Sequence, residues 1–195
     1  MTSELIGIIR REVAVTDEEA AYILDHFRER EYKRHAVLLR AGEVAHEVFF
    51  VLKGALHQFY LDEAGNERTC NFVFEREFVT DLESFSYQTL SPSSIKALTA
   101  TSCLVIRCVD LVDLMRSLPC MSEFFRILVE RIAAKSIKRT KALLSFSPEK
   151  QFRELLEESP EVFQRVPQRY IAQYLGIAPE SLSRIKKRMM APAKS

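Results

Sequence analysis

The spacing of apolar positions changes twice along the chain, and these changes divide it into three parts. A helical pattern follows Thr16 and continues to about Arg30. Thr16 and Glu19 have the spacing of a capping box, in which each side chain bonds to the other residue's backbone. Over residues 37–109 the period shortens to that of β-strands, and beyond Asp110 helical spacing returns. The pattern therefore predicts a helix, a β region and then several helices.

The β region consists of short runs rich in Val, Phe, Leu and Tyr, separated by turn-forming residues such as Gly42, Gly54 and Gly65. Many short strands at this spacing are typical of a β-sandwich or a small barrel. Residues 85–94 are rich in Ser and contain Pro92, which favours a loop. The predicted strands are 37–40, 48–53, 55–61, 67–75, 95–100 and 103–109.

A long helix is predicted from Ser122 to about Phe146, after a short helix over 110–115. Side chains on one side recur about every 3.5 residues, which is the spacing of a seam for a partner helix. Such a helix is too long for a small barrel to cover, which favours a dimer seam over packing within its own domain. The seam consists of Phe125, Val129, Ile132, Ser136 and Leu143. The basic side, expected to be a solvated face, carries Arg131, Lys135, Lys138, Arg139 and Lys141.

Residues 167–190 combine two short amphipathic patterns with a glycine between them. Pro167 and Pro179 suit the first turn of a helix, and Gly176 permits the left-handed conformation that ends the first one. Ala172 is small where the two helices must cross. This is the pattern of a helix-turn-helix, whose second helix enters the major groove of DNA. The other interpretation is a helical hairpin with a solvated basic face.

The second of these helices carries the side chains that DNA recognition requires. Arg184 suits two hydrogen bonds to guanine, and Glu180 suits a hydrogen bond from cytosine. The basic run 186–188 suits phosphates, which position a protein without reading sequence.

Charge is unevenly distributed, although the whole chain has a net charge of only +1. Residues 1–125 contain 13 basic and 20 acidic side chains, whereas residues 165–195 contain seven basic and one acidic. A basic segment after an acidic body favours a polyanionic partner. No apolar run approaches the ~20 residues of a membrane span, and no signal peptide is expected. The four cysteines form no CxxC pair, which favours a reducing, cytoplasmic location.

The whole arrangement resembles the Crp/Fnr family of bacterial transcription regulators. The segments that carry the resemblance are 48–54 before the family's effector hairpin, and 168–172 and 176–185 in the helix-turn-helix. The resemblance implies an α+β fold with an antiparallel β-roll, which is a cyclic-nucleotide-binding-like jelly roll. The implied domains are a sensor over 1–121, a dimerisation helix over 122–146 and a helix-turn-helix of winged-helix type over 147–195. Because the sequence ends in Ala191–Ser195, we expect the wing to be truncated.

The resemblance also implies partners and site residues. An effector-controlled homodimer would bind double-stranded DNA and work with RNA polymerase. The family's recognition glutamate and arginine fall on Glu180 and Arg184, whereas a further recognition arginine falls on Pro179. The residues expected to contact DNA are Gln168, Arg169, Pro179, Glu180, Ser181, Ser183, Arg184, Lys187 and Arg188.

The family's cyclic-phosphate segment is altered in this chain. Its Gly-Glu pair falls on Thr80 and Asp81, and its Arg-Ser pair falls on Ser91 and Pro92. The sequence has no arginine from position 77 to 106, although a buried phosphate needs such a bidentate partner. We therefore expect no cyclic AMP binding of the family's usual kind and no cofactor. The degenerate effector pocket would consist of Thr80, Asp81, Ser91, Pro92 and Lys96.

Two other functions fit parts of the sequence. The β-roll could be a regulatory module that acts through a protein partner, although the basic recognition face argues against this. It could also be a metalloenzyme of the cupin type, but the sequence has no His-x-His pair to hold the metal. We therefore expect no catalytic residues and no metal site.

Overall fold

The computed structural model describes residues 2–190. The helices are α1 Thr2–Glu12, α2 Asp17–Asp25, α3 Leu82–Tyr87, α4 Cys108–Ser117, α5 Pro119–Ser145, α6 Pro148–Glu158, α7 Glu161–Arg165, α8 Gln168–Leu175 and α9 Pro179–Met190. The strands are β1 Arg28–Tyr32, β2 Val37–Leu39, β3 Glu47–Lys53, β4 Leu56–Leu61, β5 Glu67–Val73, β6 Phe78–Val79, β7 Ser93–Ala97 and β8 Thr101–Arg107.

The strands form two antiparallel sheets of four strands each. The first sheet has the order β1-β8-β3-β6, and the second has the order β2-β7-β4-β5. Side chains from both sheets, among them Phe49, Val51, Leu56, Ile95 and Val105, pack into one buried cluster between them. The α+β class and the antiparallel jelly roll predicted from the sequence are confirmed.

The centre of the first sheet is buried on both faces. Along β3, Phe49 and Val51 point between the sheets, whereas Val48, Phe50 and Leu52 belong to a second cluster on the outer side. That cluster contains side chains from α1, α2, α4 and the beginning of α5. Burial on both faces explains why β3 is a continuous apolar run and does not alternate with polar residues.

The second sheet is covered by the C-terminal helices. Its outer face contributes Phe72 and Phe74 to a cluster that also contains Phe152 of α6 and Tyr170 and Leu175 of α8. Helix α8 packs directly against β5. The C-terminal helices therefore share their apolar core with the β-roll.

A charged contact fixes the edge of this shared core. Arg165 donates two hydrogen bonds to the carboxylate of Glu75, at 2.6 and 2.8 Å, and one to the carbonyl of Gly54 at 2.7 Å. Glu75 also accepts from the Gly54 N–H at 2.8 Å. Gly54 has φ of +108°, and a Cβ there would lie 2.4 Å from Thr101 Oγ1. Only glycine therefore fits where the β3–β4 turn meets the C-terminal helices.

Several predicted elements are confirmed, and some boundaries are wrong. The Thr16 capping box is present. The first predicted helix ends at Asp25 and not near Arg30, because Arg28–Tyr32 pairs with β8 as an edge strand. The predicted strand 103–109 ends at Arg107, where α4 begins. The elements that the pattern did not predict are α1, β1, β6, α3 and α7.

The remaining expectations concern the ends of the chain and its domains. The expected wing truncation rests on residues 191–195, which lie outside the described residues. The proposed domain limits stay a prediction. Within residues 2–190, no helix combines the length and apolar character needed to cross a membrane.

We expect the replacement Glu75→Gln to destabilise the protein most clearly near neutral pH. Arg165 and the Gly54 N–H lower the pKa of Glu75 from 4.5 to about 2, so its contribution is full above about pH 4.5 and disappears as the pH falls toward 2. Losing these charged hydrogen bonds should reduce the free energy of unfolding by about 1.5–3 kcal/mol. Urea titrations at pH 7 and pH 3 measure this, and the loss should shrink at pH 3.

The matched control is Glu123→Gln, because Glu123 pairs with Arg126 on the solvent side of α5. This variant should unfold at the same urea concentration as the wild type. An equal loss of unfolding free energy in the two variants would contradict the role assigned to Glu75.

Candidate functional site

Helices α8 and α9 form the helix-turn-helix that the sequence predicts. Gly176 ends α8 in the left-handed conformation, with φ of +68°, and donates to the carbonyl of Gln173 at 3.0 Å. Ala172 is fully buried where the helices cross. Leu182 and Ile185 on α9 are buried in the cluster shared with the β-roll. This packing holds the apolar side of α9 against the core and leaves its polar side facing the solvent.

The outward side of α9 carries most of the residues predicted to contact DNA. The exposed members are Pro179, Glu180, Ser183, Arg184, Lys187 and Arg188, and Ser181 is half-buried. A groove of about 840 Å³ runs between α9 and the beginning of α6. Arg188 is held across this groove by Glu149 of α6 at 2.5 Å, whereas the Arg184 side chain makes, within residues 2–190, only a long hydrogen bond to the Glu180 carbonyl at 3.4 Å.

Gln168 and Arg169 lie apart from this cluster, at the beginning of α8. Both are exposed. The Arg169 guanidinium lies 4.6 Å from the centre of the Tyr170 ring and donates to the Tyr170 hydroxyl at 2.7 Å. This contact directs Arg169 toward the junction between α8 and the β-roll.

The predicted seam on α5 is an exposed apolar face. Val129, Ile132 and Leu143 are 40%, 38% and 48% exposed, whereas Phe125 packs against Phe78. The face is wider than the seam predicted from the sequence. It also includes Ile137, which is 58% exposed, and Leu144, which is 82% exposed.

Two of the predicted effector residues, Asp81 and Ser91, meet at the beginning of α3, where the protein supplies its own carboxylate. Thr80 instead donates to the carbonyl of Glu47 at 2.9 Å. Asp81 is buried and caps α3, accepting from the Ser84 N–H at 3.1 Å. It also accepts from the Ser93 hydroxyl at 2.5 Å. Ser91 donates to the Ser93 carbonyl at 2.8 Å, which joins it to the same network. A second anion placed here would be repelled by the Asp81 carboxylate.

Lys96 does not join these residues. On β7, Ser93 and Ile95 point inward, and Lys96 points to the opposite face of the sheet. Its ammonium pairs with Glu67 at 2.6 Å and lies 4.4 Å from the centre of the Phe59 ring.

Helix α5 borders a cleft, to which it contributes the seam residues Ile132 and Ser136 as well as basic side chains. This cleft has a volume of about 470 Å³ and lies between the β-roll, α5 and α8. Arg139, predicted to lie on a solvated face, is half-buried over the Tyr174 ring of α8 at 3.9 Å. The pattern of α5 alone carries no signal for this contact, because Tyr174 comes from a later helix. The residues that line the cleft include Thr80, Gln58, Asn71, Arg131, Lys135, Arg139 and Tyr174.

A buried histidine links the β-roll to α8. His57 packs against the rings of Phe72 and Tyr170, and its Nε2 lies 2.8 Å from the Thr69 hydroxyl. Thr69 in turn donates to the Gln173 side chain at 2.9 Å. Burial, together with the nearby charges of Lys96 and Arg169, lowers the pKa of His57 to about 3. His57 is therefore a neutral contact of the junction.

Comparison with known protein families finds a match for the part of the chain that contains the strands. Residues 29–117 match the cyclic nucleotide-binding domain family. None of the curated proteins matches the chain in sequence.

Solved structures with the same fold include three bacterial regulators. The c-di-GMP-responsive global regulator CLP of Xanthomonas campestris is 18% identical with a TM-score of 0.72, over 92% of this chain and 96% of that one. FixK2 of Bradyrhizobium japonicum is 16% identical with a TM-score of 0.72, over 84% of each chain. A regulator from Eubacterium rectale assigned to the Crp/Fnr family is 17% identical with a TM-score of 0.67, over 90% and 83%.

These structures cover both the β-roll and the helices after it, as the resemblance in sequence suggested. Residues 29–117 thus match the cyclic nucleotide-binding domain family, and with the helices that follow they have the fold of these solved structures.

Proposed function

We propose that the protein is a homodimeric, sequence-specific DNA-binding transcription regulator of bacterial cytoplasm, which works with RNA polymerase and whose β-roll senses a small molecule. The observation that carries this proposal is the division of α9 into two sides. Leu182 and Ile185 are buried in the core, and Glu180 and Arg184 are exposed on the opposite side. A helix fixed in this way can enter the major groove without losing its packing.

The charges of α9 suggest separate roles for its basic residues. Arg188 is already paired with Glu149, so it is partly neutralised. Arg184 and Lys187 have no such pairing among residues 2–190. Arg184 therefore suits recognition of a base edge, and Lys187 suits a phosphate.

A dimer would place two copies of α9 where they can read two half-sites. Recognition helices of such dimers must lie one helical turn of DNA apart, about 34 Å. The apolar face of α5 supports a helix-to-helix interface, because Ile132, Ile137 and Leu144 are exposed in a single chain. Burying this face in a partner helix would remove that apolar surface from water.

The sensor would not recognise cyclic AMP in the way that the family resemblance implies. The Asp81 carboxylate occupies the capping position of α3, where it accepts from Ser84 and Ser93. Lys96 lies on the other face of β7 and offers no replacement for the expected arginine.

The replacement Arg184→Ala should weaken binding to the selected operator by about 1–3 kcal/mol and relax the preference at one base pair. Selection from random duplexes with the full chain, followed by titration of the enriched sequence, measures both effects. Lys187→Ala is the matched variant. It should weaken binding to all sequences alike. It should also reduce the slope of log affinity against log salt concentration by about 0.9. Selection that enriches no sequence with the wild type would refute the proposal.

The replacement Ile132→Glu should convert the dimer into a monomer. It places a charge in an apolar interface, where desolvation costs several kcal/mol per copy. Sedimentation velocity at micromolar concentration measures the change, and binding to the operator should weaken with it. Ala134→Glu is the control, because two residues along a helix point to nearly opposite sides. A wild-type monomer at this concentration would contradict the assembly.

Calorimetry with cyclic AMP should show no binding of micromolar affinity. Losing a bidentate ion contact typically costs 2–5 kcal/mol, and Asp81 adds repulsion. A one-to-one isotherm with micromolar affinity that is abolished by Ser91→Ala would show that a phosphate site survives in another form.

A further inference from the structure

The groove between α6 and α9 has cations on one wall and a carboxylate on the other. Helix α9 contributes Arg184, Lys187 and Arg188, and α6 contributes Glu149. Ile185, which is buried in the core, also lines the groove. Among the described residues, the side chains that line this groove therefore carry three positive charges and one negative charge.

Glu149 is held at this position by the beginning of α6. Ser147 caps the helix, accepting from the Lys150 N–H at 3.3 Å, and Phe152 of the next turn is fully buried. The backbone N–H of Glu149 itself, together with Arg188, lowers the pKa of the Glu149 carboxyl. Glu149 is therefore charged at neutral pH and faces the groove.

Arg188 is the cation that this carboxylate neutralises. Its guanidinium lies 2.5 Å from a Glu149 oxygen, whereas the two other cations of the groove have no ion-pair partner within residues 2–190. The Arg188 side chain is nevertheless 66% exposed, so the solvent reaches it. A DNA phosphate forms the same kind of charged hydrogen bond to a guanidinium as a carboxylate does. Glu149 thus occupies the place on Arg188 that a phosphate would take.

A second ion pair of α6 lies away from the groove. Glu158, near the end of the helix, pairs with Lys138 of α5. Nine positions separate it from Glu149, which is about 13 Å along the helix axis. This distance exceeds the length over which salt screens exposed charges, about 8–10 Å near physiological ionic strength. Glu158 is therefore a matched comparison, with the same charge on the same helix but outside the groove.

We propose that Glu149 competes with DNA for Arg188 and thereby lowers the affinity of the helix-turn-helix for every duplex without changing its sequence preference. The partner in this contact is the phosphate backbone of DNA, which carries no sequence information directly. This inference rests on the DNA-binding function proposed above, and it assigns a role in that function to a residue outside the helix-turn-helix.

The effect follows from the charge of the pair. Because the charges of Glu149 and Arg188 cancel, a phosphate that approaches the pair gains little, and the release of counterions is not increased. Removing the carboxylate leaves one more cation, which steepens the slope of log affinity against log salt concentration by about 0.9. Both helices keep their places without the pair, because Phe152 and Ile185 hold them in the core shared with the β-roll.

The test compares two duplexes of equal length, the selected operator and a duplex of random sequence. Fluorescence anisotropy measures the affinity of the full chain for each at several salt concentrations. Glu149→Gln should bind both duplexes roughly fivefold to tenfold more tightly than the wild type at about 0.1 M salt. The gain should disappear near about 1 M salt, where counterion release no longer favours binding. The ratio of the two affinities should not change.

Two further variants locate the effect. Adding Arg188→Gln to Glu149→Gln should return the affinity and the salt slope to the wild-type values, because the gain requires the guanidinium. Glu158→Gln adds the same charge to the protein but should leave the slope unchanged. If the double variant fails to fold, the comparison of Glu149→Gln with Glu158→Gln decides the question.

Equal slopes in Glu149→Gln and Glu158→Gln would overturn the competition, as would a gain that persists in the double variant. Weaker binding by Glu149→Gln would also overturn it, since the pair would then serve only to position α9. If selection enriches no operator, sequence recognition fails, but the random duplex still tests the role of Glu149. An enriched operator whose salt slope is unchanged in Glu149→Gln would refute the competition and leave the proposed function standing.

Discussion

The outer face of the second sheet is the constraint on which the arrangement of the chain depends. A sheet with apolar residues on both sides needs a cover on each, and here Phe72 and Phe74 are covered by the C-terminal helices. Separating these helices from the β-roll would expose that surface and break the contact between Arg165 and Glu75. The helix-turn-helix and the β-roll therefore share one core, so that a displacement of one changes the packing of the other.

The segment before α3 and the long helix α5 have opposite electrostatic character. The segment before α3 has a buried carboxylate, Asp81, with its hydrogen bonds supplied from within the protein. The facing helix α5 supplies guanidinium and ammonium groups, and within residues 2–190 no carboxylate lies within ion-pair distance of Arg139. The match to the cyclic nucleotide-binding domain family thus describes the scaffold, while the residues on its walls determine which molecules it can hold.

Local patterns predicted the elements that local interactions determine. The Thr16 cap and the Gly176 turn are set by residues within a few positions, and both are present. Strand β1 was missed because its polar sequence becomes a strand only through pairing with β8, far along the chain. The contact of Arg139 with Tyr174 was missed for a similar reason, since one helix's pattern cannot show what another helix places against it. Lys96 was grouped with the effector residues because it is the only basic side chain from position 77 to 106, whereas strand alternation sends it to the opposite face.

The two-sided burial of β3 has a consequence for the unfolded chain. Residues 48–52 are five consecutive apolar residues with high β propensity, in the centre of a sheet. Once unfolded, such a segment is free to pair with copies of itself. Glu47 and Lys53 flank it with charges that oppose this pairing, as gatekeeper residues do. When the protein is heated above its unfolding temperature, refolding therefore competes with aggregation. The lifetime of the native state then describes its stability better than an equilibrium midpoint of unfolding does.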